Sequence, residues 1–487
     1  MHWAAVAWAV AATGCDRLPP VTEQTDAPAR APHTGELVLP PRAYADARVE
    51  GVPHVTQKPD FCGEACVEMA LAKLGRRATQ DEVFDASGLD PELGRGVYTA
   101  ELVTAVKRLG LDPGPVWYAL GDGPLGDELS TRFDALHADL ARGVLSIVCM
   151  HYDGRPGASE HFRLVTGYDA ARDEVIYNEP AVDDGTALRM PRRRFLELWP
   201  LGVGSSRAVV IRLRLAPVAG APSIALTSSR AALVQRVREV KKQLGPEFTV
   251  LVEPPFVVAG DDRPEVVRRH ARSTVRWTVD KLKADFFSKD PTSTLAIYLF
   301  RDEPSYRKNA FAITHEDPTT PYGFFTPKHG ALIMNIATGG GTLVHEIVHP
   351  FVEANFPDSP AWFNEGLGSL YEQAADEDGH IVGLTNWRLQ GLQAAIAHGR
   401  APSFRVLTAT STREFYDEDE GVHYAEARYL LYYLQQRGLL VRYYKEFTAH
   451  HAEDPTGYAT LERVLGRNDM DAFQREWAAF VTGLHFP

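Results

Sequence analysis

The chain reads as α+β, built as two successive domains. Over the first two hundred residues helical spacing comes first, at 62–75, 99–109 and 127–141. Strand-like runs follow at 144–150, 161–168, 174–177 and 208–213. Helices grouped ahead of strands predict helices packed on one face of an antiparallel sheet. An Ala/Pro/Gly-rich stretch at 217–222 separates this pattern from a second one. There, strands at 248–253, 255–259, 294–301 and 331–337 and a long helix at 263–287 lead into a half that is nearly all helical.

Residues 3–13 form an apolar run too short to cross a bilayer and suited to a signal h-region. It closes on Ala12-Thr13-Gly14-Cys15, which resembles a bacterial lipoprotein box. The resemblance implies a signal peptide over 1–14 and lipid at Cys15, and so an exported, periplasmic or cell-surface protein anchored to a bacterial membrane. Residues 15–48 are rich in Pro, Ala, Thr and charge without an apolar period, and read as a disordered tether. The domains follow at 49–216 and 246–487, with a linker and charged helix at 217–245.

The 487 residues are enough for two or three domains, each with its own core. A net charge of −13 suits solubility and argues against nucleic acid as a partner. The acidic run at 417–420 lacks EF-hand spacing and reads as a solvated loop, and Arg192-Arg193-Arg194 as a solvated face. The four cysteines make no Cys-x-x-Cys pair, so this is no disulfide scaffold. Cys66 and Cys149 read as core thiols that an oxidising compartment can pair.

Cys62 opens a run with Ala65, Met69 and Ala72 at helical spacing, ended by Gly75. A cysteine at a helix N-terminus has its thiol pKa lowered by the helix dipole, which makes a nucleophile. His161, on a strand, is the candidate base, and Gln57 the candidate donor to an oxyanion. A Gln, then Cys62-Gly63-Glu64-Ala65-Cys66, then a His strand and Asn178-Glu179-Pro180 resemble the papain-like cysteine peptidases that process bacteriocin leader peptides. The likeness spans roughly 51–214. It implies a papain-like fold with Cys62, His161 and Gln57 in those roles. Where that family has Asp-Pro, this chain has Glu179-Pro180, so both Glu179 and Asn178 stand as candidates to orient the imidazole.

The second domain carries His345-Glu346-Ile347-Val348-His349. On a helix the two histidines lie about 6 Å apart along the axis and about 40° around it, so their imidazoles can converge on one tetrahedral Zn²⁺. Glu346 is placed to serve as base toward an attacking water. Thr342 is the expected N-cap, and Pro350 is expected to kink or end the helix after His349. Downstream, Trp362-Phe363-Asn364-Glu365-Gly366 offers Glu365 as third ligand; a metzincin instead needs Gly and His where Val352 and Asn355 stand.

This set resembles the gluzincin metallopeptidases, most closely the bacterial peptidase-MA-like group, from about residue 248 onward. The resemblance implies zinc at His345, His349 and Glu365, Glu346 as base, and an edge strand at 331–337 that holds substrate backbone by β-addition. It also implies a Tyr or His over the oxyanion, for which Tyr424 is the candidate. Ser369 and Glu372, one and two turns past Glu365, are candidate partners for the ligand histidines.

Together these observations predict an exported two-domain peptidase acting on peptides or proteins. The competing reading makes both domains degenerate peptidase folds that bind peptide or cell wall, with zinc at most structural.

Overall fold

A computed structural model describes residues 37–486 apart from 122, 156, 203–207, 220–228 and 418–420. The expected signal run, Cys15 and the first part of the tether lie outside the described residues, as does most of the acidic run at 417–420. The chain divides into two compact units, the first through Gln235 and the second from Arg236.

The first unit contains β1 (Ala47–Arg48), α1 (Cys62–Lys73), α2 (Gln80–Ser87), α3 (Thr99–Arg108), β2 (Leu111–Asp112), β3 (Trp117–Ala119), α4 (Leu125–Ala141) and β4 (Ser146–His151). It continues with β5 (Glu160–Asp169), β6 (Glu174–Asn178), β7 (Leu188–Pro191), α5 (Arg192–Leu198), β8 (Val209–Arg214) and β9 (Ala216–Pro217), and α6 (Ser229–Gln243) runs across the division. Its main sheet runs β3-β8-β4-β5-β6-β7, all antiparallel, with β1 added beside β5. Leu102 of α3, Phe133 and Leu136 of α4, and Ile147, Phe162 and Leu164 of the sheet are fully buried in one core. Each such side chain contributes about 1.5–3 kcal/mol by leaving water.

Two expectations are corrected here. The tether does not reach residue 48: Leu37 and Leu39 pack on the core, and Tyr44 sits edge-on to Phe133 at 5.0 Å and to Tyr168 at 5.5 Å. Ala47 and Arg48 then pair with Tyr168 and Gly167. A few apolar anchors, too sparse to show a period, suffice once a helix and a sheet offer them a surface. Nor is Arg192 solvated: it is buried, its Nε donates to Asp173 Oδ1 at 2.7 Å, and its guanidinium lies 5.4 Å from the Tyr44 ring.

The second unit opens with β10 (Thr249–Glu253), β11 (Phe256–Gly260), α7 (Pro264–His270), a π turn (Ala271–Arg276), α8 (Trp277–Asp285), β12 (Leu295–Phe300) and α9 (Glu303–Thr314). Then come β13 (Gly323–Thr326), β14 (Ala331–Asn335), α10 (Gly341–Asn355), α11 (Ala361–Leu370) and the hairpin β15 (Ala374–Glu377) and β16 (His380–Gly383). Seven helices complete it: α12 (Arg388–Ala397), α13 (Phe404–Ala409), α14 (Thr412–Asp417), α15 (Val422–Gln436), α16 (Leu440–Ala449), α17 (Tyr458–Leu465) and α18 (Met470–Thr482). The sheet runs β10-β11-β12-β14-β13, parallel at β11–β12 and β12–β14 and antiparallel at both ends. Among the described residues no helix is long and apolar enough to cross a membrane.

Three local expectations change in this unit. β14 is not an edge strand, because β13 pairs along it from Gly323↔Met334 to Thr326↔Ala331 and is itself the edge. Four residues without a clear alternation left β13 unread. The N-cap of α10 is Gly340 rather than Thr342. Gly341 follows it, where a Cβ would stand 2.2 Å from the Glu372 carbonyl oxygen, so only glycine fits against that backbone. Finally, α10 runs through Pro350 to Asn355. Proline removes one helical donor, but Val348, Phe351 and Val352 around it are buried, and their packing holds the helix.

Candidate functional site

Each unit gathers one cluster of the candidate residues. In the first, Cys62 is the first residue of α1, and no side chain caps that helix end. Cys62 therefore stands at the positive end of the α1 dipole. Gln57, Cys62 and His161 line one cavity of about 250 Å³ with Asp60, Tyr98 and Tyr152. Gln57 is anchored through its backbone N–H to the Pro180 carbonyl at 2.8 Å, and its side-chain Oε1 is buried without a partner among the described residues.

His161 lies on β5, and its Nε2 is 2.5 Å from Glu179 Oε1. Its other ring nitrogen is left for Cys62, with which the imidazole is hydrogen-bonded. Burial alone would lower the His161 pKa; the charge and hydrogen bond of Cys62 and those of Glu179 outweigh it and raise it to about 9. The Glu179 carboxyl is pushed up by burial, but the His161 hydrogen bond and charge and the Arg163 charge bring it below its ordinary value.

Glu179, not Asn178, meets the histidine, and the strand period explains why. Asn178 pairs with Leu164 in the β5–β6 register, one residue out of phase with His161 and Arg163. Its amide instead donates to the Pro53 carbonyl at 3.1 Å and accepts from the Ala187 N–H at 2.9 Å. Asn178 is therefore corrected to a loop-tying residue. Arg163, which no sequence motif marks, donates its Nε to Glu179 Oε2 at 2.7 Å; the one signal in the sequence was an arginine two residues past His161, on the same strand face. Cys62, Cys66 and Cys149 are buried thiols rather than disulfides.

In the second unit His345, Glu346 and His349 rise from α10, and Glu365 comes from α11. His345 Nε2 is 3.1 Å from Glu365 Oε2, and His349 Nε2 is 3.8 Å from Glu365 Oε1. Ligand atoms of His345, Glu346 and His349 all lie within 4.8 Å of one another. Tetrahedral zinc with ligands at about 2.0–2.1 Å sets its ligand atoms roughly 3.3 Å apart, and the 3.1 Å and 3.8 Å gaps from Glu365 to the two histidines lie on either side of that spacing, so the chemistry of His345, His349 and Glu365 suits the ion. Both carboxylates approach His349, Glu346 Oε2 at 3.9 Å. Electrostatics separates their roles. Burial would raise the Glu365 carboxyl, but the His345 hydrogen bond and the charges of both histidines hold it down at about 2, as a permanent anion. Burial raises the Glu346 carboxyl above its ordinary value.

The imidazoles are held from behind. His349 Nδ1 is 3.0 Å from Asn364 Oδ1, which leaves Nε2 for a metal. Glu372 Oε1 is 3.2 Å from His345 Nδ1, and Arg388 clamps the same carboxylate through Nε at 3.1 Å and Nη2 at 2.8 Å. Gly368 lets the His345 ring lie against α11, where an added Cβ would stand 3.2 Å from three ring atoms.

Ser369, the other candidate partner, has a buried hydroxyl without a partner among the described residues. Tyr424 lines the adjoining cavity of about 1200 Å³ beside Phe325, Trp387 and Tyr416. Tyr416, a residue the sequence did not single out, also donates its hydroxyl to Glu365 Oε1 as a short hydrogen bond.

Comparison with known proteins bears on the first unit. No curated protein matches the chain. Among solved structures, it is similar at 17% identity to the peptidase domain of Streptococcus ComA, described as a bi-functional ABC transporter involved in a quorum-sensing pathway. That likeness covers 34% of this chain and 99% of that one, with a TM-score of 0.23. A double glycine motif protease from an AMS/PCAT transporter, solved in complex with the leader peptide, is likewise 17% identical. It covers 34% of this chain and 94% of that one, also at a TM-score of 0.23. Residues 49–204 match the Peptidase_C39 like family, so the N-terminal region resembles that family of peptidases.

Proposed function

We propose that the chain is a peptidase whose cysteine-type centre is Cys62, oriented by His161 and Glu179. The observation that carries this reading is the His161 imidazole held between Cys62 and Glu179 inside the region that resembles the Peptidase_C39 like family. Cys62 gives its proton to His161, and the thiolate attacks the scissile carbonyl. Gln57 donates its amide to the oxyanion as the tetrahedral centre forms. His161 then passes the proton to the leaving amine, and water, deprotonated by His161, hydrolyses the thioester. The substrate is a peptide in extended form. In a peptide-library digest run with a chelator present, Cys62→Ala is expected to remove the cleavages that wild type makes there; wild-type cleavages that persist in it would overturn the assignment.

A second, metal-dependent centre is favoured by the convergence of His345, His349 and Glu365 around one point with Glu346 beside it. These three residues would hold Zn²⁺, which when bound polarises a carbonyl and acidifies water. Glu346 takes the proton of the attacking water, and Glu372 and Asn364 keep the imidazoles aimed. Elemental analysis of purified protein is expected to find zinc that His345→Ala lacks. Glu346→Gln is expected to retain that zinc without hydrolysis; undiminished cleavage would remove Glu346 from the role of base. Export and lipidation at Cys15 belong to the same proposal, and Cys15→Ser is expected to abolish labelling by a fatty-acid analogue in bacterial cells. A binding protein without catalysis would instead retain peptides uncut at both centres.

A further inference from the structure

We propose that Arg163 is a positioning residue of the Cys62 centre, fixing the Glu179 side chain so that its carboxylate orients His161. The proposal rests on the cysteine-peptidase reading above. A glutamate is longer than an aspartate by one C–C bond, about 1.5 Å, and has one more torsion to fix. Both of its oxygens are accounted for. Oε1 accepts from His161 Nε2 at 2.5 Å and from the Ala181 N–H at 3.1 Å, and Oε2 accepts from Arg163 Nε at 2.7 Å. With Oε2 pinned, the carboxylate plane cannot turn away from the imidazole.

Arg163 is itself immobilised. It stands on β5 two residues past His161, and so on the same face of the sheet. Its Nη1 donates to the His151 carbonyl at 3.2 Å and its Nη2 to the Tyr152 carbonyl at 2.9 Å. The guanidinium also lies 5.3 Å from the Tyr152 ring and 5.6 Å from the Tyr177 ring. The Arg163 and Glu179 side chains are only 5% and 6% exposed, so the pair faces little competing water. A planar fork with three separate acceptors is something lysine cannot reproduce.

The competing role for Arg163 is a staple for residues 151–152, with no effect on His161. Two readouts in the full-length protein separate them. One is the rate at which iodoacetamide alkylates Cys62 at pH 6, followed by mass on the Cys62 peptide. The other is the His161 Nε2–H proton resonance, which reports the bond to Glu179 without any turnover. Arg163→Met is expected to slow alkylation roughly tenfold or more and to lose the resonance. Arg163→Lys, which keeps the charge but not the fork, is expected to behave more like Arg163→Met than like wild type.

Glu179→Asp is expected to slow alkylation too, and the double variant Arg163→Met/Glu179→Asp to be no slower than the slower single one, since both act through one bond. An unchanged rate and resonance in Arg163→Met, or slowing that multiplies in the double variant, would overturn the proposal and leave the peptidase reading standing. If wild-type Cys62 reacts no faster at pH 6 than an ordinary thiol while Arg163→Met still loses the resonance, the peptidase reading falls and the positioning role holds.

Discussion

At the scale of single residues, the two clusters are built alike: each is an imidazole with a buried carboxylate beside it, 2.5 Å away at His161 and 3.2 Å away at His345. Those carboxylates are Glu179 and Glu372, and each is gripped by an arginine, Arg163 or Arg388. Replacing Glu372 by Gln is expected to weaken zinc binding by about 10–100-fold, read by competition with a chelator of known affinity. Gln57→Ala is expected to lower kcat of the cysteine centre by about 10²–10³ with little change in KM, checked by steady-state kinetics. The residue types at both centres were legible in the sequence. The sequence left Glu179 and Asn178 equal because adjacent residues differ only in the face they take, and that depends on pairing with Leu164. Tyr416 left no signal, since its contact with Glu365 crosses 51 positions of chain.

At the scale of elements, α1 carries a buried acid two residues past Cys62. Glu64 is fully buried on α1, and its Oε1 accepts the Val97 N–H at 2.9 Å. Burial raises its pKa from 4.5 to about 8, against the lowering effect of that hydrogen bond. Between pH 4.5 and 8 the folded state therefore holds a proton that the unfolded state has released, and stability falls as pH rises through that window. Glu64→Gln keeps the acceptor and removes the titration. It is expected to flatten the loss of thermal stability from pH 5 to 8, measured by Tm at constant ionic strength. His161, raised from 6.5 to about 9, contributes stability that is full below 6.5 and lost by about 9, and this slope should survive in the variant. In the second unit, Gly368→Ala is expected to press on the His345 ring and lower both Tm and zinc affinity, while a distant glycine such as Gly391, with open space around it, tolerates alanine.

For the molecule as a whole, the proposed function places chemically distinct centres in the two units, so separate reagents are expected to silence them separately. Chelation is expected to remove the cleavages that Glu346→Gln removes, and iodoacetamide those that Cys62→Ala removes. A single digest profile, compared by mass spectrometry across the four conditions, checks this. Cleavages lost to both treatments alike would mean that one centre acts only on products of the other.

The sequence by itself determined what depends on neighbours two to four residues apart: helix and strand periods, Cys62 at a helix start, His161 on a strand, and His345 and His349 one turn apart. Those features follow from backbone geometry that each segment carries alone. Only the tertiary structure decided that Glu179 and Glu372 are the carboxylates facing the histidines, that Arg163 and Arg388 grip them, that β13 covers β14, and that residues 37–48 dock on the first core. Each of these is set by the register or packing of segments far apart in the chain, and no local pattern encodes which face a distant partner will meet.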